Sequence, residues 1–131
     1  MTQEDKELLL KDLSARLPYK TIVQIDGCGI WDLRGIDHDD SAKLRDRVIV
    51  WHGKNYPSSK NSFPIIDCKP YLFPLSSMTE EQQMDLTKFV ANGIQGENIL
   101  YDWYNKNHFD YRGLIPMDLA IAVTKENNPY K

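Results

Sequence analysis

The chain has 131 residues, 41% hydrophobic and 27% charged, with a formal net charge of −3. That length fits one domain able to bury about two-thirds of its unfolded surface without a metal or disulfide, and the composition excludes wholesale disorder. Apolar runs such as Val48-Ile49-Val50-Trp51 are far too short to span a membrane, and the acidic balance argues against nucleic acid as an obligatory partner.

The opening Thr2-Gln3-Glu4-Asp5 is acidic where a secretory signal would be basic, so a cytoplasmic location is expected. Thr2 can cap a first helix, with Asp5 three residues on facing the positive helix end. Leu9, Leu10, Leu13 and Leu17 fall on one stripe about 100° wide, which leaves Leu8 off it, and Pro18 ends the helix. From Lys20 to Leu75 the pattern turns to short β-branched and aromatic runs. Strands are predicted over 21–26, 30–36, 47–52 and 63–68, with Gly27-Cys28-Gly29 as a turn and the polar stretches 37–41 and 53–62 as loops. Pro64 and Pro70 make the fourth strand an edge or an interrupted one, because neither can donate to a ladder. Short connections make these strands an antiparallel meander.

Thr79 and Gln82 stand in capping-box register for a second helix whose apolar face is Leu86, Phe89 and Val90, ended by Asn92-Gly93. A third helix begins at Glu97, carries the stripe Leu100, Trp103, Tyr104 and Asn107, and ends near His108. Asp110-Tyr111-Arg112-Gly113 is a turn, followed by the apolar tail Leu119 to Val123; the chain is expected to fray from Asn127.

Five of the fourteen Phe, Trp and Tyr residues lie between Tyr101 and Tyr111, among a His, two Asp and a Lys. Leu100 and Trp103 read as core. The turn differs, because a turn exposes its residues and Tyr and Arg are enriched at interface hot spots. His108, Asp110, Tyr111 and Arg112 are therefore the candidate partner-binding residues, against the plainer reading that Arg112 pairs with Asp110 or Asp118 and fixes the turn. An exposed turn implies that Tyr111→Ala with Arg112→Ala would leave the melting temperature nearly unchanged.

Charge is unevenly spread. Residues 26–40 carry five Asp and one Arg, whereas residues 43–60 carry three Lys, two Arg and one Asp. Cross-strand pairing within a sheet explains this most simply. The second segment also interleaves Arg45, Arg47, Trp51, Lys54 and Tyr56, a basic-aromatic mixture suited to a single-stranded nucleic acid; such binding would weaken steeply with salt.

Other chemistry is sparsely signalled. His108-x-Asp110 with Asp102, and Asp37-His38-Asp39-Asp40, contain ligand-type residues, but neither supplies locally the three or four converging donors that a metal needs. Cys28 between two glycines could act as a nucleophile beside a histidine, or simply be a small residue in a turn. Cys28 and Cys68 form no C-x-x-C pair, and two reduced thiols are expected. No cofactor, metal or membrane association is expected.

Three segments, Glu4 to Tyr19, Lys69 to Glu81 and His108 to Ile115, resemble a family of small uncharacterised proteins from gut bacteria of the Bacteroides group and their phages. The chain departs from the family's pattern at Phe73, where Arg is usual, and at Asp118, where Gly is usual. The resemblance implies a bacterial or phage-encoded setting and brings no activity, cofactor or catalytic residue with it. The expected fold is α+β: an N-terminal helix, a four-stranded antiparallel β-meander, and two C-terminal helices packed on one face. The expected function is a non-enzymatic interaction module that binds a protein through the 108–113 turn or the open sheet face. A small nucleic-acid-binding protein using 43–60 is the alternative, and a small hydrolase or metal enzyme the second alternative.

Overall fold

A computed structural model describes residues 2–37, 47–52, 56–91 and 97–130. The first helix, α1, spans Gln3–Arg16, and its start is the expected one: Thr2 Oγ1 accepts from the Asp5 N–H at 3.0 Å while the Thr2 N–H donates to Asp5 Oδ2 at 3.2 Å. Both otherwise orphaned donors are thereby satisfied. Pro18 sits within a 3-10 turn, Leu17–Tyr19, that closes the helix. Leu9 and Leu13 are fully buried, with Leu8, Leu10 and Leu17 packed partly buried around the same core.

Six strands form one mixed sheet in the order β4-β3-β2-β1-β5-β6. β1 (Ile22–Ile25), β2 (Gly29–Asp37) and β3 (Arg47–His52) fall where the alternation places them. The β1–β2 connection needs its glycines because Gly27 and Gly29 have φ of 75° and 87°; a Cβ would meet nothing within 4 Å at either, so the backbone conformation and not space makes the demand. Asp37 stands opposite Arg47 in the β2–β3 register, so part of the acidic and basic segments does face each other across a ladder.

The remaining strands differ from expectation. β4 (Tyr56–Pro64) occupies most of the predicted loop, and pairs antiparallel with β3 from Arg47↔Pro64 to His52↔Tyr56. Its Ser, Asn and Pro content suppresses a strand signal, but an outermost strand tolerates both proline and polar side chains. The predicted fourth strand is divided: its first residues end β4, Ile65–Asp67 form a 3-10 turn, and Cys68 opens β5 (Cys68–Leu72). β5 does not extend the meander beyond β4. It crosses back to pair antiparallel with β1, through Val23↔Pro70 and Ile25↔Cys68, and accepts the short β6 (Ile121–Ala122) in parallel on its other side. The sheet is thus six-stranded and mixed instead of a four-stranded antiparallel meander.

Val23, Ile25, Leu33, Val48, Val50, Cys68 and Leu72 from the sheet join Leu9 and Leu13 of α1 and Leu114, Leu119 and Ala120 from the tail in one core. α2 (Glu80–Ala91) begins with the expected Thr79–Gln82 capping box, both bonds being made at 2.9 and 3.1 Å. Its described side chains, 80–88, are all exposed or half-buried. α3 (Glu97–Lys106) lies against α1. Among the described residues, packing of both C-terminal helices on one face of the sheet is not seen. No helix among the described residues is long and apolar enough to cross a membrane.

The last residues, expected to fray, are fastened. The Tyr130 hydroxyl accepts from the Ile22 N–H at 3.1 Å and donates to the Tyr71 carbonyl at 2.7 Å, and its ring stacks on His108 at 4.1 Å and on Phe73 at 6.0 Å. Burial pushes the Tyr130 phenol well above its ordinary range, so the donor to Tyr71 stays protonated.

Candidate functional site

Asp12 and Arg16 lie one helical turn apart on α1, so both reach the same place, and both are fully buried. Arg16 Nε donates to Asp12 Oδ2 at 2.8 Å and Arg16 Nη2 to Oδ1 at 3.1 Å; Arg112 Nε donates to the same Oδ1 at 3.2 Å. Arg16 Nη2 also donates to the Phe109 carbonyl at 2.6 Å. One carboxylate therefore holds two guanidinium groups, and residues 109–112 are tied to α1.

Two further sets of bonds fix the same turn. The Asp110 carboxylate accepts from the Leu114 N–H at 2.8 Å and the Ile115 N–H at 2.9 Å, closing the loop from within. Phe73 donates its N–H to the His108 carbonyl and accepts from the Asp110 N–H, a short parallel bridge beyond the end of β5. Tyr111 stacks on Tyr101 at 5.1 Å and on Tyr104 at 5.4 Å, with the Arg112 guanidinium 4.8 Å and the Arg16 guanidinium 5.4 Å from its ring centroid. Arg112 Nη2 donates to the Tyr111 hydroxyl at 2.8 Å.

The four turn residues read from the sequence are thus brought together, but not as an open loop: Asp110 is 7% exposed and the Arg112 side chain 16%. Arg112 pairs with Asp12, not with Asp110 or Asp118; Asp118 instead meets Lys69 at 3.0 Å. This geometry leads to the opposite expectation for Tyr111→Ala with Arg112→Ala, a fall in melting temperature, since the double change removes an aromatic stack and leaves Asp12 with one cation.

His108 ends α3. Its φ of 62° is left-handed, the His108 N–H donates to the Asn105 carbonyl at 3.1 Å and the Phe109 N–H to the Tyr104 carbonyl at 2.9 Å, the bonds of a Schellman motif in which glycine is the usual residue. Its Nδ1 is buried without a hydrogen-bond partner among the described residues. Burial, and secondarily the Arg16 charge, lower the His108 pKa to about 4, which reverses the simple expectation of a cation welcomed by the helix dipole. Because the folded pKa lies below the ordinary 6.5, its contribution is full above pH 6.5 and is lost as pH falls from there through 4. Wild type should lose about 2 kcal/mol more than His108→Asn over that interval once solvent screening is allowed for. Urea titrations of the two proteins at pH 7.0 and 4.5 measure the difference, and parallel pH profiles would contradict it.

Beside this cluster, α1 and α3 enclose an open depression of about 720 Å³ lined by Lys11, Ala15, Tyr101, Asp102, Asn105, Tyr111 and Arg112. Tyr101 is 38% exposed although its ring is held by Tyr111. Asn105 is only 2% exposed, and its Oδ1 has no hydrogen-bond partner among the described residues. An unsatisfied buried amide oxygen costs about 1–3 kcal/mol, so its presence at the wall of a depression calls for a reason other than stability.

The basic-aromatic segment is only partly visible. Arg45 and Lys54 lie outside the described residues, as do the side chains of Trp51 and Tyr56, although β3 and β4 place Trp51 opposite Lys60. Arg47 is half-buried and engaged, Nε donating to Ser62 Oγ and Nη2 to the Ser62 carbonyl, each at 2.8 Å. Cys28 is exposed and Cys68 buried, both as free thiols, and burial followed by the Asp67 charge raises the Cys68 pKa strongly. His108, the one histidine with a described side chain, stacks on Tyr130. Among the described residues no group of three or more His, Cys, Asp or Glu side chains is placed to hold a metal; of Asp37-His38-Asp39-Asp40, only Asp37 is described.

Asp12, Arg16, Asn105 and Tyr130 were not singled out by sequence. The Asp12–Arg16 spacing was a signal, but the same spacing is common on solvated helix faces. Comparison with known proteins leaves this geometry to speak alone: no family model, no curated protein and no solved structure matches the chain.

Proposed function

We propose that the chain is a non-enzymatic protein-interaction module, bacterial or phage-encoded as its resemblance implies, and that its contact surface is the depression between α1 and α3. The observation that carries this reading is the held tyrosine ledge: Tyr101 stays partly exposed while stacked at 5.1 Å on Tyr111, with Arg112 fixed beside it by Asp12. Aromatic and arginine side chains whose conformations are already set lose little entropy on binding, which is the property of interface hot spots. The turn contributes Tyr111 and Arg112 to this surface from below, while Asp110 and His108 fix its shape.

Ala15 lines the depression and is half-buried, so Ala15→Arg fills the space with little disturbance of the core. Immobilised wild-type protein should retain from a lysate of its host a partner that an Ala15→Arg protein of equal melting temperature does not. A partner retained equally by both would place the contact elsewhere on the molecule.

A further inference from the structure

We infer that the depression between α1 and α3 takes an extended, acidic peptide segment of the partner protein. This rests on the depression being the contact surface and adds the chemistry of its occupant. Three observations converge. The first is the Asn105 side chain, 2% exposed and lining the depression, whose Oδ1 has no donor among the described residues. Asn is also a poorer helix former than Leu or Ala, so two separate considerations of stability disfavour it at this place in α3. An extended peptide carries unpaired backbone N–H groups at regular intervals, and a turn of the Asn105 amide toward the depression lets one of them supply the missing donor.

The second observation is charge. Among the described residues Lys11 and Arg112 line the depression against Asp102, and behind them Arg16 and Arg112 share the carboxylate of Asp12. The surplus is positive in a protein whose net charge is −3, so the local field selects an occupant with Asp or Glu side chains. The third is the aromatic geometry. Tyr101 and Tyr111 are stacked at an interplanar angle of 14°, and Tyr111 is further covered by Tyr104 and two guanidinium groups. No pair of free aromatic faces remains to sandwich a nucleobase; what remains is a ledge suited to an aliphatic or aromatic side chain.

A random twelve-residue peptide library displayed against the immobilised full chain provides the test. Enriched sequences should contain Asp and Glu well above their frequency in the library. Synthetic peptides from that pool should bind about tenfold more weakly to Asn105→Leu and to Lys11→Glu, while the melting temperature of Asn105→Leu is unchanged or raised. Neutral or basic winners, no enrichment, or affinity indifferent to Asn105→Leu would overturn the inference, as would a large fall in melting temperature for that variant, which would make Asn105 structural. Displacement of the peptides by AMP would overturn it in favour of a nucleotide. A retained partner that is blocked by Ala15→Arg but not competed by acidic peptides would refute the peptide while keeping the contact surface; a partner indifferent to Ala15→Arg would remove both.

Discussion

Asp12→Ala is expected to lower the unfolding free energy by about 3–5 kcal/mol, because removing the carboxylate of a buried ion cluster leaves Arg16 charged and without a counter-ion in a place water cannot reach. Both Arg16 and Asp12 are fully buried, and the Asp12 carboxylate is the acceptor for three donor contacts from Arg16 and Arg112. Its loss also releases residues 109–112, since Arg16 reaches the Phe109 carbonyl in the geometry that Asp12 sets. A single domain has roughly 5–15 kcal/mol in total, so this one carboxylate accounts for a large share of it. Asp12→Leu combined with Arg16→Met should recover much of the loss, because both buried charges then disappear together, with Arg112 left near enough to the surface to find water. Equilibrium urea unfolding checks both. A loss below about 1 kcal/mol for Asp12→Ala would mean that the cluster is hydrated and behaves as a surface pair.

Tyr130→Ala is the second large effect, with an expected loss of about 3 kcal/mol from the half-buried aromatic ring and its hydroxyl bonds together. Tyr130→Phe isolates the hydroxyl and should cost about 1–2 kcal/mol, since the Ile22 N–H and the Tyr71 carbonyl both lose a partner. The ring matters more because it lies on His108 and Phe73, joining the chain end to the start of the 108–113 turn. Thermal unfolding followed by near-ultraviolet circular dichroism distinguishes the cases. Equal melting temperatures for wild type and Tyr130→Ala would return the tail to the frayed state its composition suggests.

These two effects share a property: both depend on residues brought together from opposite ends of the chain. That is why neither stood out in the sequence. Asp12 and Arg16 interrupt an otherwise ordinary leucine stripe, and a polar pair one turn apart is equally at home in water. Arg112 and Tyr111 carried a hot-spot composition, and the structure gives them an anchoring task as well, leaving their edge on the depression as the proposed contact. Asn105 lay on a helix whose apolar stripe drew attention to its neighbours Trp103 and Tyr104.

Local rules sufficed where the physics is local. The capping boxes at Thr2 and Thr79, the Pro18 stop, the left-handed demand at Gly27 and Gly29, and the alternation that makes β1, β2 and β3 each depend on residues within a few positions of one another. Tertiary structure alone decided that the polar, proline-bearing segment 56–64 is an outer strand, that β5 returns to β1 instead of following β4, and that β6 joins it in parallel. Strand pairing between distant segments is chosen by which arrangement buries Val23, Leu33, Val50, Leu72 and Leu114 in one core, and no local periodicity encodes that choice. The candidate site has the same origin: Arg112 stands in the wall of the depression with its Nε on Asp12 of α1, a long-range ion pair that becomes strong only after the surrounding residues have excluded water.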